Sequence, residues 1–379
     1  MSRQNEMVKP FVIFSSLTEE KGHLLLDDDF WFSSLIKYDP ELSVFTSVTS
    51  CDLLAKKYPS HKKQFIGFRD FPFFRKIYYR LHLLGRLFSS KKITGKTIIF
   101  QGFDEIGILS YLWRIRNWNN TTVLILTNNV SPERFENSPR LLPYLLRTIF
   151  KKCDFVFYHS DFEYKLLISK LGDKVDKNKL KKVKYHLLGA PRLLASNTHQ
   201  DNTITYFGPS MVSKPLLDFC NLIKADANRQ FKYHFYNLDR KDEEMIRNNT
   251  PPEASLNFHY DYMTNEEYAN AILQSTYVFL PHNSYYEGKL SGIFCDCVNY
   301  NVPVISDRIE PVIEFFKAYG ELGYLLDYKK NDWGNTFFNE ISGEKYRQFI
   351  ENMNKCHAEH KADIIIESFI EKIKSENRS

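Results

Sequence analysis

A chain of 379 residues has room for two domains of ordinary size, each with its own core. Its 43% hydrophobic and 26% charged residues describe a globular protein, and no run approaches the roughly 20 apolar residues that a bilayer crossing requires. A net charge of +5 is modest and concentrated in one stretch, and no reader motif accompanies it, which argues against nucleic acid as a partner.

The first ten residues are polar and the apolar run Phe11–Ser15 is too short for a signal core, so no secretory signal is expected. Six cysteines at 51, 153, 220, 295, 297 and 356 lack the paired spacing of a zinc site. They predict reduced core thiols, a cytoplasmic protein and no metal site.

Phe11–Ser15 reads as a first strand, followed by a loop, 17–23, that carries Gly22. Asp27-Asp28-Asp29 precede the apolar residues Phe30, Phe32, Leu35 and Ile36, which suits capping of a helix start and its dipole. The rival reading is a metal-binding DxD, but such a motif follows a nucleotide-binding half and almost no chain precedes this one. From Phe71 to Lys96 there are seven Lys/Arg and no acid, with Phe73, Phe74, Ile77, Leu81, Leu84 and Phe88 near a helical stripe. A basic amphipathic segment of this kind suits the surface of an anionic membrane, so peripheral contact at the inner face of the cell membrane is expected there. Gly95-Lys96-Thr97 mimics the end of a P-loop but leads into a strand rather than a helix.

Ile98–Phe100, Val123–Thr127 and Phe155–Tyr158 alternate with helical stretches, a pattern that predicts a parallel sheet covered on both faces. A charged connector at 174–184 leads to Tyr185–Gly189, read as the last strand of the first domain. The small polar run 195–202 has linker composition, and predicts domains at 1–195 and 196–345 with terminal helices over 346–379. The second half restarts with Ile204–Phe207, Gly208, a loop ending in Lys214 and a helix Leu216–Ala225. Gly at a strand end lets backbone approach a ligand, and a lysine six residues on reaches a diphosphate. Phe231–Tyr236 and Asn257–Tyr260 read as strands, and Thr264 with Glu267 as a capping box.

Tyr277–Ser306 is the stretch around which the chain is organised. An apolar strand, Tyr277–Pro281, leads through a polar loop to a helix opened by Ser291-Gly292, and Pro303-Val304-Ile305 resumes a strand. Ligands bind at the carboxyl edge of such crossover units. Amides near Ser291 and Gly292 face an anion, and Asp296, about one turn further in, accepts from sugar hydroxyls. A phosphate attached to a hydroxyl-rich group fits this layout.

The same residues carry a family resemblance. Glu287-Gly288, the small-Gly helix start, Asp296 and the turn into Pro303-Val304-Ile305 resemble the carboxyl-terminal signature of GT-B glycosyltransferases, most closely the retaining family 4 group. That family usually has Glu at the position of Asp296, eight residues after the first Glu; here the separation from Glu287 is nine. The Arg that usually follows the glycine of Gly208 is Pro209 here. The resemblance implies an α/β fold of two Rossmann-like parallel-sheet domains facing a central cleft, with the carboxyl-terminal helix crossing back to the first domain. It implies a metal-independent hexosyltransferase with a nucleotide-diphosphate sugar as donor substrate, no separate cofactor, and a glycan or polyprenyl-linked glycan as acceptor, in surface polysaccharide synthesis. In that scheme Asp296 holds the ribose, Lys214 with Gly208, Ser291 and Gly292 holds the diphosphate, and Glu287 contacts the sugar. Tyr260 and Tyr262 become candidates for base stacking, and Gly22 lies in the loop that approaches donor and acceptor. Asn128 and Asn129 stand where a His is frequent, and His159 reads as a polar strand-end residue. A catalytically inactive relative that binds a sugar nucleotide or a partner subunit is the alternative.

Overall fold

Two parallel sheets, each with buried central strands joined by helical crossovers, make up the described residues. The computed structural model describes residues 9–15, 23–68, 93–115, 119–126, 130–187, 202–208, 216–261, 263–282, 286–330 and 332–376. Met1–His186 with Lys361–Ser379 form one unit, and Leu187–His360 form the other.

The first unit carries β1 (Phe11–Ser15), β2 (Ser43–Ser47), β3 (Phe65–Phe68), β4 (Thr97–Gln101), β5 (Thr121–Ile125), β6 (Phe155–Tyr158) and β7 (Leu180–Lys182). Their order, β3-β2-β1-β4-β5-β6-β7, reverses direction between β1 and β4, whose register pairs Ser15 with Gln101. All five residues of β1 are buried, as expected of a central parallel strand with both faces covered. Phe14 stacks on Phe45 at 4.5 Å and on Phe100 at 5.6 Å on one face. Phe11, Ile13 and Ile99 belong to the core of the other face.

Helices α1 (His23–Leu35), α2 (Val48–Lys57), α3 (Glu105–Ile115), α4 (Pro132–Asn137), α5 (Leu141–Lys152) and α6 (Asp161–Leu171) follow the strands. Ser160 and Glu163 form a reciprocal capping box at the start of α6, which satisfies two of the amides a helix start leaves unpaired. The strand expected at Tyr185–Gly189 is instead β7, inside the charged connector. There the buried Leu180 pairs with Val156 and the lysines project to the surface, so charge composition masked a short edge strand.

The second unit carries β8 (Thr203–Phe207), β9 (Lys232–Tyr236), β10 (Ser255–His259), β11 (Tyr277–Leu280), β12 (Val304–Asp307) and β13 (Gly323–Leu326), ordered β10-β9-β8-β11-β12-β13. The order reverses between β8 and β11. The helices are α7 (Leu216–Ala225), α8 (Arg240–Asn248), α9 (Asn265–Leu273), α10 (Gly292–Asn299), α11 (Val312–Tyr319), α12 (Trp333–Glu340) and α13 (Gly343–Glu359). An aromatic core of Tyr206, Phe219, Phe235, Phe279, Tyr277, Phe337 and neighbours fills one face. Phe219 and Phe279 stack at 4.7 Å within it. Gly323 opens β13 at φ 144°, and a Cβ there would lie 2.1 Å from the Val304 carbonyl oxygen, so only glycine fits.

Helix α14 (Ala362–Glu376) packs on the first unit, with Phe369 4.6 Å from Phe157 and 5.0 Å from Trp31. The preceding helix does not share this role. His357 in α13 bonds the Asn299 carbonyl and Asn352 bonds the Glu321 carbonyl, so residues 346–360 belong to the second unit. The boundary expected at 195 lies outside the described residues. Among the described residues no helix is long and apolar enough to cross a membrane. The basic segment at 71–96 is outside the described residues except for its last four.

Candidate functional site

In the second sheet, the carboxyl ends of β8 and β11 flank the point where strand order reverses, the place where open α/β sheets bind ligands. Gly208 ends β8 at φ 106° and donates its amide to the Tyr236 carbonyl at 3.1 Å. The left-handed conformation turns the chain sharply away from the strand, without the Cβ penalty another residue would incur. Lys214 lies outside the described residues, as do Gly22, Asn128, Asn129 and Tyr262.

Across the reversal, the buried Ser291 is the N-cap of α10, in extended conformation at φ −70° and ψ 128°, and Gly292 is the first helical residue. Ser291 makes no side-chain cap bond. The amides of Gly292, Ile293 and Phe294 therefore keep the unpaired N–H groups and positive partial charge of a helix start, and the same geometry binds phosphate elsewhere.

Asp296 is one turn into α10 and buried. The Tyr268 hydroxyl, from α9, donates to its Oδ2 at 2.9 Å, and Oδ1 accepts from no described group. Burial raises the Asp296 carboxyl to about 7, a rise only partly opposed by the Tyr268 hydrogen bond. Burial and the neighbouring Asp296 in turn hold the Tyr268 phenol well above its ordinary range, so it remains a donor. Tyr268 also meets Phe207, the last residue of β8, edge to face at 5.2 Å.

Glu287 sits in the β11–α10 connection. Its Oε1 accepts from the Glu310 amide at 3.2 Å, and Gly288 donates to the Glu310 carbonyl at 3.0 Å. These two bonds dock the acidic loop onto the β12–α11 connection. Burial raises the Glu287 carboxyl, and the Asp307 charge adds to the rise. Asp307, at the end of β12, is itself raised by burial, and Asp218 on α7 is pushed to about 6 by burial and by Asp307. Tyr328 donates to the Leu280 and Ile305 carbonyls, at the ends of β11 and β12, at 3.4 and 3.1 Å. Sequence reasoning singled out neither Tyr268, Asp307 nor Tyr328. Asp307 had one legible signal, an acid two residues past Pro303-Val304-Ile305 at the end of that strand.

Tyr260 lies one residue beyond β10, exposed, its hydroxyl bonded to Glu243 and its ring 5.6 Å from the Arg240 guanidinium. The rings nearer the strand ends are Phe207, Tyr236 and His259, stacked across β8, β9 and β10 at 5.4 and 4.2 Å.

In the first unit the three adjacent aspartates lie inside α1 rather than at its start. Each turns to a different partner: Asp27 to His186 Nε2 at 2.6 Å, Asp28 to the Thr46 hydroxyl at 2.9 Å, and Asp29 to Lys57 and Tyr58 at 2.7 and 2.8 Å. This divergence corrects the capping expectation, because successive helix positions point about 100° apart. Among the described residues no group of three or more His, Cys, Asp or Glu is placed to hold a metal ion. His159 is buried, stacked on Tyr185 at 4.4 Å, and pushed by burial down to about 4.

No protein-family model matches the chain, and no curated protein sequence matches it. Among solved structures, it is similar to Anabaena Alr3699/HepE in complex with UDP, at TM-score 0.69 and 12% identity over 97% of this chain and 100% of that one. A structure described as trehalose-6-phosphate from E. coli bound with UDP-2-fluoro glucose matches at TM-score 0.64 and 11% identity, covering 96% and 99% of the two chains. An alpha,alpha-trehalose-phosphate synthase (UDP-forming) from Burkholderia vietnamiensis matches at 0.64 and 8%, covering 98% of each. The fold is GT-B. At these identities the likeness speaks for architecture, and the chemistry rests on the residues described above.

Proposed function

We propose that the protein is a glycosyltransferase that takes a hexose from a nucleotide-diphosphate sugar. The observation that carries this reading is the pairing of uncapped amides at Gly292–Phe294 with the Asp296 carboxylate one turn along the same helix, across the strand-order reversal from Gly208 at the end of β8. One end suits a diphosphate and the other a ribose hydroxyl. Similar folds crystallised with UDP or UDP-glucose support a uridine donor.

In the reaction the bond from the anomeric carbon to the diphosphate breaks and a bond to an acceptor hydroxyl oxygen forms, while that hydroxyl loses its proton. Negative charge grows on the leaving diphosphate. The α10 amides and Lys214 stabilise it, which places electrostatic stabilisation on the protein rather than on a metal. Glu287 and Asp307 accept from hydroxyls of the donor sugar. The resemblance to family 4 supports retention of configuration, and the acceptor, a glycan or a lipid-linked glycan in surface polysaccharide synthesis, engages the first unit. The basic segment 71–96 supports a cytoplasmic enzyme held peripherally at an anionic membrane.

Calorimetry and thermal shift with UDP, GDP, CDP and ADP test the donor site, using wild type beside Asp296→Ala and Lys214→Ala. One nucleotide binding, weakened in both variants, supports the reading; no binding by any removes it. Binding without hydrolysis or transfer of any nucleotide sugar supports the inactive relative. Unchanged binding to anionic vesicles after Arg75, Lys76, Arg80 and Arg86 are changed to Glu removes the membrane contact.

A further inference from the structure

Asp296 is a short side chain doing the work for which the resemblance expects a longer one, and its surroundings show how it is set. It is buried on α10, and one of its two oxygens is already committed: Oδ2 accepts from the Tyr268 hydroxyl at 2.9 Å. Oδ1 accepts from no described group and is not sealed from solvent. An acceptor with no donor from the described residues that solvent can reach is open to a ligand hydroxyl in place of water.

Tyr268 is in turn held from two sides. Its backbone stands in the first turns of α9, which the Thr264–Glu267 capping box anchors, and its ring rests edge-on against Phe207 at the end of β8. The phenol therefore has little freedom, and the carboxylate plane of Asp296 is fixed by a group outside its own helix. Phe207 directly precedes Gly208, so the same contact links the carboxylate to the strand end proposed for the diphosphate.

We propose that Tyr268 is a positioning residue that turns Asp296 so that Oδ1 alone meets the donor, as a one-point contact to a single ribose hydroxyl. This deepens the nucleotide-sugar reading and rests on it. A carboxylate free on both oxygens accepts from both hydroxyls of a ribose, the two-pronged grip of an unencumbered acid. With Oδ2 turned to Tyr268, the two parallel bonds are not both available and one hydroxyl is held at Oδ1 more strongly than the other. The other faces solvent or backbone, and nucleotides lacking it are tolerated.

Calorimetry on the full-length protein with UDP, 2′-deoxy-UDP and 3′-deoxy-UDP tests this, with wild type, Tyr268→Phe and Asp296→Asn. In wild type one deoxy analogue is expected to bind about 10-fold more weakly than UDP and the other within about 2-fold, since a hydrogen bond to a charged group is worth about that ratio or more. In Tyr268→Phe, UDP weakens several-fold and the difference between the two analogues shrinks. Asp296→Asn keeps the volume and the Tyr268 partner but loses the acceptor, and removes the discrimination without unfolding α10. Equal weakening of both analogues in wild type overturns the inference, as does Tyr268→Phe lowering affinity for all three nucleotides by one common factor, the mark of a merely structural tyrosine. If wild type binds UDP but discriminates nothing, the inference fails alone. If wild type binds no UDP, the donor reading falls with it.

Discussion

The Tyr268 hydroxyl and Asp296 Oδ2 are 2.9 Å apart, yet the two residues are 28 positions apart in the chain and sit on different helices. That bond turns an isolated helical carboxylate into an oriented acceptor. It also sets a pH dependence. Burial places the Asp296 carboxyl at about 7, opposed only by the Tyr268 hydrogen bond, with no cation among the groups that shift it. A ribose hydroxyl needs the ionised form as acceptor, so UDP affinity should fall as pH drops from 8 to 6, approaching 10-fold per unit at the acid end. Asp296→Asn should bind weakly with no such slope. Titrations at several pH values check this.

Asp28 carries a stability prediction of its own. It is wholly buried under α1, accepts from Thr46, and is raised from 3.8 to about 7, chiefly by desolvation. A carboxyl raised in the folded state favours folding when protonated. Its contribution is complete below about 4, where the unfolded chain titrates, and is lost as pH rises through about 7. The melting temperature of wild type should therefore fall between pH 5 and 8 by more than that of Asp28→Asn. Asp218 and Asp296 act in the same direction and remain in both proteins, so the difference between the two slopes isolates Asp28.

Phe369 ties the last helix to the first unit through Phe157 and Trp31. Truncation to alanine removes a fully buried ring and should cost about 3–5 kcal/mol of unfolding free energy in that unit. Denaturant melts followed by tryptophan fluorescence report it, because Trp31 is in direct contact.

Gly323→Ala should be more damaging than its size suggests. The new methyl would overlap the Val304 carbonyl at 2.1 Å, between β13 and β12, and backbone cannot yield as a side-chain tip can. A loss of more than about 2 kcal/mol, with weakened nucleotide binding through the displaced β12 end, is the expected outcome. Gly343→Ala, with nothing within 4 Å of the added methyl, serves as the neutral control.

Much of the second unit was legible in the amino-acid order because its signals are local. The Thr264–Glu267 box and the helix at Leu216–Ala225 were read directly, and the Ser291-Gly292 start was read as a helix opening toward an anion. The first unit was harder. Strand β2 pairs with β1 on one side and with β3 on the other, but SVFTS is short and mixed in polarity and FIGF is only four residues with a glycine inside, so their strand character comes from the neighbours they pair with. The Lys-rich β7 hid for the same reason.

What the sequence by itself determined is the alternation of strands and helices, the restart of that alternation near residue 203, and the reading of Gly208 at the end of one strand and of Ser291, Gly292 and Asp296 at the helix start of a later crossover. Those features follow from periodicity, capping and glycine chemistry within a few residues of one another. Only the tertiary structure decided that Tyr268 faces Asp296, that Asp27, Asp28 and Asp29 serve three separate partners, and that the last helix but not the one before it returns to the first unit. Each depends on which helices a parallel sheet brings side by side. Hydrogen bonds and buried charge are set by neighbours in space, and no local pattern names them.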